Sequence, residues 1–237
     1  MRITRAKLSF LSADCPESEN SISLVDSCTD GSGGCWMLGT FDSTATFGSH
    51  ELTSHGRGDI YIARFSQTGE QKWPVALAFG SDKRERPYAL APDGEGGCYA
   101  AFTSSGELKG LLPSPGGDMC AVVHLLADGI FNALFPANGA VITDLISDGG
   151  GGCYASLLVK DTAQLGSQTI ASALYPRKRE IALAHITPEG GFVRASLVGP
   201  GGSFVRNPLA WADDRSLLIA GSDREPPSLT KQKLVLY

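Results

Sequence analysis

The sequence predicts an all-β protein assembled from repeated four-stranded antiparallel units, on three observations. A glycine-rich hairpin signal recurs three times, a second strand-and-glycine element recurs in step with it, and no stretch shows a convincing helical period. Composition agrees with this. The 29 glycines and 13 prolines among 237 residues exceed the combined ~12% of average usage, as expected of many turns between short apolar segments. A hydrophobic fraction of 42% excludes a disordered chain, and the absence of a Gly-X-Y period excludes collagen. With 20 basic and 25 acidic side chains the net charge is −5, which argues against a general nucleic-acid-binding surface.

The hairpin signal is Asp30-Gly-Ser-Gly-Gly-Cys-Trp36, then Asp93-Gly-Glu-Gly-Gly-Cys-Tyr99, then Asp148-Gly-Gly-Gly-Gly-Cys-Tyr154, with a degenerate copy at Asp213 to Gly221. Asp bonds to the backbone ahead of it and Gly supplies positive φ, so each copy predicts a tight turn between two strands. In the second element, Asp59–Phe65 leads to Gly69, Cys120–Leu125 to Gly129, and Ile181–Ile186 to Gly190. Arg64, His124 and His185 each fall five residues before that glycine and are expected to face outward. An apolar strand follows each turn: Trp73–Phe79, Phe131–Phe135 and Phe192–Val198. One unit is therefore four short strands in about 60 residues, the scale of a propeller blade. The expected organisation is one domain over 1–237, with repeats at 22–80, 87–139, 141–199, and 208–237 together with 1–11.

Met1–Lys7 is basic, but the following Leu8–Ala13 is too short and polar for a secretory signal. Asp14 spoils a lipoprotein box before Cys15. No run approaches the ~18 apolar residues of a membrane span. By sequence alone the chain carries no address, hence a cytoplasmic expectation. The six cysteines (15, 28, 35, 98, 120 and 153) include no CxxC pair. Cys35, Cys98 and Cys153 are repeat-equivalent, so buried free thiols are expected. A Cys15–Cys28 bridge or a redox role is the alternative.

Within the first copy, Asp30–Trp73 contains Gly39-Thr-Phe-Asp-Ser-Thr-Ala-Thr-Phe-Gly48, Leu52-Thr-Ser54, Gly58-Asp-Ile-Tyr-Ile-Ala-Arg-Phe65 and Thr68-Gly-Glu-Gln-Lys-Trp73. This segment closely resembles the bacterial SBBP β-propeller repeat. The second and third copies keep the Asp-Gly hairpin and third strand but lose Thr-Ala-Thr-Phe-Gly, and the fourth is remote. The resemblance implies a β-propeller, often in a cell-surface or exported setting, with no catalytic residues and usually with more blades.

Strand arithmetic favours four blades. Lys231–Tyr237 fits the third strand of the fourth unit, and Ile3–Phe10 has the length of the missing fourth, so pairing between them would close the ring and satisfy both edges. A monomer closed in this way is preferred to an eight-bladed homodimer or a piece of a longer array.

In such a meander the tight turns share one face and the longer connections share the other, where ligands are expected. These connections are Phe41–Gly58, Thr103–Gly117, Leu157–Arg179 and Ser222–Thr230, with Gly80–Pro87 and Gly199–Pro208 between units. Two basic clusters fall there, Lys83, Arg84 and Arg86, and Arg177, Lys178 and Arg179, with Arg206 at the channel mouth. Arginine recognises carboxylates and phosphates well, so these residues are the candidate ligand-binding set. His50 and His55 lack a third convergent ligand, so no metal is expected, and nothing points to a cofactor. No G-x-S-x-G, H-E-x-x-H or phosphate loop occurs. The expected function is non-catalytic binding of a protein or glycan, with no nucleic acid and no membrane span. The alternatives are a glycan-active hydrolase or lyase using Asp82, Glu107 or Asp161, or a truncated copy of a longer surface-repeat protein.

Overall fold

The computed structural model describes residues 17–18, 21–66, 73–109, 119–173, 179–189, 191–201, 208–212, 216–222 and 229–234. Every regular element among them is a β-strand. The first unit holds β1 (Glu17–Ser18), β2 (Ile22–Thr29), β3 (Cys35–Phe41), β4 (Thr44–Phe47), β5 (His50–Thr53), β6 (Asp59–Phe65) and β7 (Val75–Phe79). Its main sheet has the order β2-β3-β6-β7, and β1-β4-β5 form a separate small sheet. Next come β8 (Arg86–Pro92), β9 (Cys98–Ser104), β10 (Met119–Leu125) and β11 (Phe131–Ser147). They lead into β12 (Cys153–Leu165), β13 (Gln168–Ala171), β14 (Arg179–Thr187) and β15 (Gly191–Gly201). One curled sheet links these in the order β8-β9-β10-β11-β12-β14-β15, with β13 paired to β12. The last sheet is β16 (Leu209–Trp211), β17 (Leu217–Ser222) and β18 (Leu229–Leu234). Ile3–Phe10 and Tyr237, on which the expected closure depends, lie outside the described residues.

The Asp-Gly-x-Gly-Gly turn explains itself residue by residue. In the second copy Gly94 and Gly96 have φ of 84° and 96°, a region side chains avoid. A Cβ on Gly97 would collide with the Leu125 carbonyl and the Asp93 carboxylate. Gly34 and Gly152 are crowded in the same way by Phe65 and Asp30, and by Ile186 and Asp148.

Two expected connections are themselves strands. Phe41–Gly58 contains the β4–β5 hairpin, and Leu157–Arg179 contains the end of β12 paired with β13. The boundary expected between 139 and 141 is a bulge inside β11, where Gly139 has φ of 79°. The strand therefore passes from the second unit into the third without a loop.

Strand alternation builds the core. On β9 and β10, Cys98, Ala100, Phe102, Ala121, Val123 and Leu125 pack with Trp36, Leu38, Ile60 and Ile62 of the first unit. The interleaved Tyr99, Ala101, Cys120 and Val122 pack with Ile142, Cys153, Ala155 and Leu157 of the third. Because both faces of the second unit are covered, β9 and β10 are apolar on both faces over Cys98–Phe102 and Met119–Val123 rather than alternating with polar residues. Smaller clusters place the β4–β5 hairpin over the outer face of the first unit, through Phe47, Tyr61 and Trp73, and Leu209, Leu217 and Ile219 against the third. Cys28, Cys35, Cys98, Cys120 and Cys153 are free thiols, and burial pushes the thiol pKa values of Cys98, Cys120 and Cys153 upward. Cys15 lies outside the described residues.

Candidate functional site

At the turn end of the units, three repeat-equivalent clamps recur. Asp30 Oδ1 accepts the Ser32 and Gly34 amides, Asp93 Oδ1 those of Glu95 and Gly97, and Asp148 Oδ1 those of Gly150 and Gly152. The second oxygen meets Arg64 at 2.9 Å, His124 at 3.1 Å and His185 at 2.7 Å, respectively. Burial opposes ionisation of these aspartates, but the combined hydrogen bonds hold all three carboxyls below their usual range. The outward placement expected for His124 and His185 is thereby corrected. Each ring lies on its register partner, Tyr99 or Tyr154, stacked at 4.3 and 4.6 Å, and reaches back to the turn aspartate. Asn132 donates to His124 Nδ1, so Nε2–H is the atom that donates to Asp93. In each clamp both carboxylate oxygens of the aspartate are engaged, which makes these pairs structural devices of the turns.

The inner strands carry a second repeated device. The extra residues Val25, Tyr88 and Thr143 each bulge five positions before the turn aspartate, which twists the strand and re-aims its next residue. In the first and third units that next residue is an aspartate whose carboxylate crosses to the following unit. Asp26 Oδ2 accepts the Leu90 amide at 2.7 Å and Asp144 Oδ2 the Leu209 amide at 2.8 Å. Burial raises the pKa of both. Asp144 is pushed up to about 6, with the charge of Asp26 adding to the effect of burial. The second unit has Ala89 in this position.

At the opposite end of the strands lies a cleft of about 800 Å³. The first unit contributes Ser21, Ser23, Val25, Thr40, Asp42 and Gly58, the second Arg84–Tyr88, and the third Val141 and Arg179. It therefore opens on the end opposite the Asp-Gly hairpins, where the long connections leave. Of the expected ligand set, Arg84, Arg86 and Arg179 come together here as exposed side chains. Lys83 is exposed on the same segment but does not line the cleft. Arg177, Lys178 and Arg206 lie outside the described residues. Among the described residues, none of the three guanidinium groups has an ion-pair or hydrogen-bond partner.

The polar wall was not foreseen from sequence. Ser23 and Thr40 share a hydroxyl hydrogen bond across β2 and β3 at 2.8 Å, and Ser21 donates to Asp42 Oδ2 at 2.9 Å. Glu85, 1% exposed, accepts from the Ser81 and Ser104 hydroxyls at 2.5 and 3.2 Å. Those pairings depend on register, and only the clustering of hydroxyls near strand ends was there to be noticed. Asp82, Glu107 and Asp161 do not line the cleft.

His50 and His55 do not form a ligand set. His55 uses its backbone amide to bind Asp59, and among the described residues no three His, Cys, Asp or Glu side chains are grouped so as to hold a metal ion. Nor, among those residues, is any helix long and apolar enough to cross a membrane. No family model matches the chain, and no curated protein matches it.

Proposed function

We propose that the chain is a four-bladed β-propeller that binds a ligand, without catalysis, in the cleft at its long-connection end. Three basic side chains that have no partner among the described residues carry this reading: Arg84 and Arg86, leading into the second unit, and Arg179 of the third, gathered in one concavity. Unpaired guanidinium groups in a concave site have strong hydrogen-bonding capacity still to be used.

Three features support the ring. Three consecutive units wall the same cleft. The charge of Asp26, on the inner strand of the first unit, helps raise the pKa of Asp144 on the inner strand of the third. The resemblance of residues 30–73 to SBBP repeats points the same way. In this reading Ile3–Phe10 completes the fourth blade, and the molecule is a monomer.

Filling the cleft tests the site. Thr40→Trp projects an indole from the cleft wall, whereas Glu95→Trp places the same group on an Asp-Gly turn at the other end. On an array of immobilised neutral and acidic glycans, Thr40→Trp is expected to lose at least about tenfold in affinity, or about 1.4 kcal/mol, and Glu95→Trp to match the unaltered protein. Loss confined to Glu95→Trp would overturn the site assignment.

A further inference from the structure

The cleft's lining is specific enough to name a ligand class, given that the cleft is the ligand site. We infer that it takes an acidic oligosaccharide, a chain whose sugars carry carboxylates at intervals, as in a polyuronate. The three guanidinium groups supply planar, bidentate donors suited to carboxylate. They stand against two carboxyl groups, Asp42 and Glu85, both of which already accept hydroxyl hydrogen bonds. The lining is thus basic by a small margin within a chain of net charge −5, a poor match for the dense charge of nucleic acid.

The remaining wall fits the rest of a sugar. Ser21, Ser23 and Thr40 present hydroxyls that pair among themselves and with Asp42, and each retains capacity to exchange hydrogen bonds with a polyol. Pro87, beside Val25 and Val141, gives an apolar surface for the C–H face of a ring. An inorganic anion would leave most of this wall unused. The volume lies within the range that holds compact organic ligands, room for about two or three sugar rings.

Titration calorimetry of the full chain at low salt tests the assignment, with a galacturonate tetramer, its neutral methyl ester, inorganic phosphate and a short single-stranded oligodeoxynucleotide as probes. The tetramer is expected to bind at least about tenfold more tightly than any of the other three, and added salt should weaken it. Replacing Arg84, Arg86 and Arg179 together by glutamine should remove at least that factor. Arg179→Gln alone should remove part of it, and Arg194→Gln, at an exposed position of β15 outside the cleft, should change nothing.

Equal binding of the ester, a tetramer affinity untouched by the triple variant, phosphate or oligonucleotide binding as tight as the tetramer, or no binding of the tetramer overturns the acidic-sugar inference. Thr40→Trp separates the two levels. If it abolishes tight binding of the ester, the cleft stands and only the acidic-sugar assignment falls. If tetramer binding survives it intact, the cleft itself is not the site.

Discussion

Asp93→Ala is expected to destabilise the fold by about 3–5 kcal/mol, as when one partner of a buried polar pair is removed. The carboxylate satisfies two turn amides and His124 Nε2–H in a place where both side chains of the pair are about 5% exposed or less. Alanine would leave the Gly97 amide and His124 Nε2–H buried without that acceptor, and the part-buried Glu95 amide without its partner. For a chain of this size the fall in Tm is roughly 6–20 °C. Asp148→Ala should lose less, because Asp148 and His185 are 13% and 27% exposed and water can replace the lost acceptor.

The loss should also depend on pH. Asp93 has a folded pKa below its ordinary 3.8, so its stabilisation is complete above that value and disappears as pH falls through the folded one. Asp26 and Asp144 act with the opposite sign. Their raised values contribute stability that is complete below 3.8 and is lost as pH rises, through about 6 for Asp144. The unaltered protein should therefore be most stable near pH 4 and lose stability both below it and on the way up to about pH 6, and Asp93→Ala should show a shallower decline on the acid side. Urea unfolding of the three proteins at a series of pH values reads both effects. A Asp93→Ala midpoint equal to that of the unaltered protein at neutral pH would contradict the clamp.

Trp36→Ala is expected to remove about 3–5 kcal/mol, the usual range for emptying a large core site. Trp36 is 0% exposed, packs between the first and second units, and donates Nε1–H to the Gly96 carbonyl at 2.8 Å. Tyr99 makes the equivalent stitch to Gly151. Trp36→Phe keeps most of the volume and gives up the hydrogen bond, so a loss of about 1–2 kcal/mol is expected. The same denaturation measurement decides. If Trp36→Ala lost under 1 kcal/mol, the units would not depend on this joint.

Much of the architecture was legible because turn chemistry is local. Asp-Gly-x-Gly-Gly announces a hairpin wherever it occurs, and its spacing counts the units. Alternation in β9 and β10 was masked, since a sheet covered on both faces shows no polar side. The β4–β5 and β12–β13 hairpins were taken for loops because Thr, Ser and Gln punctuate them as they would a loop. The site was legible only in part. Arg84, Arg86 and Arg179 stood out as charge clusters near strand ends, which topology alone places at one end of the molecule. His124 and His185 were misplaced because the aspartate that draws each inward lies 31 and 37 residues earlier in sequence. The hydroxyl wall of Ser21, Ser23 and Thr40 depends on register between strands, which no single segment encodes.

The most direct measurement is amide hydrogen exchange on the full chain with and without a saturating galacturonate tetramer, read by mass spectrometry alongside the mass of the sugar itself. Protection is expected at 21–25, 40–42, 84–88 and 179–180, with the tetramer recovered intact. Protection centred instead on the Asp-Gly turns at 30–34, 93–97 and 148–152, or recovery of shortened sugar, would contradict a non-catalytic binding cleft at the long-connection end.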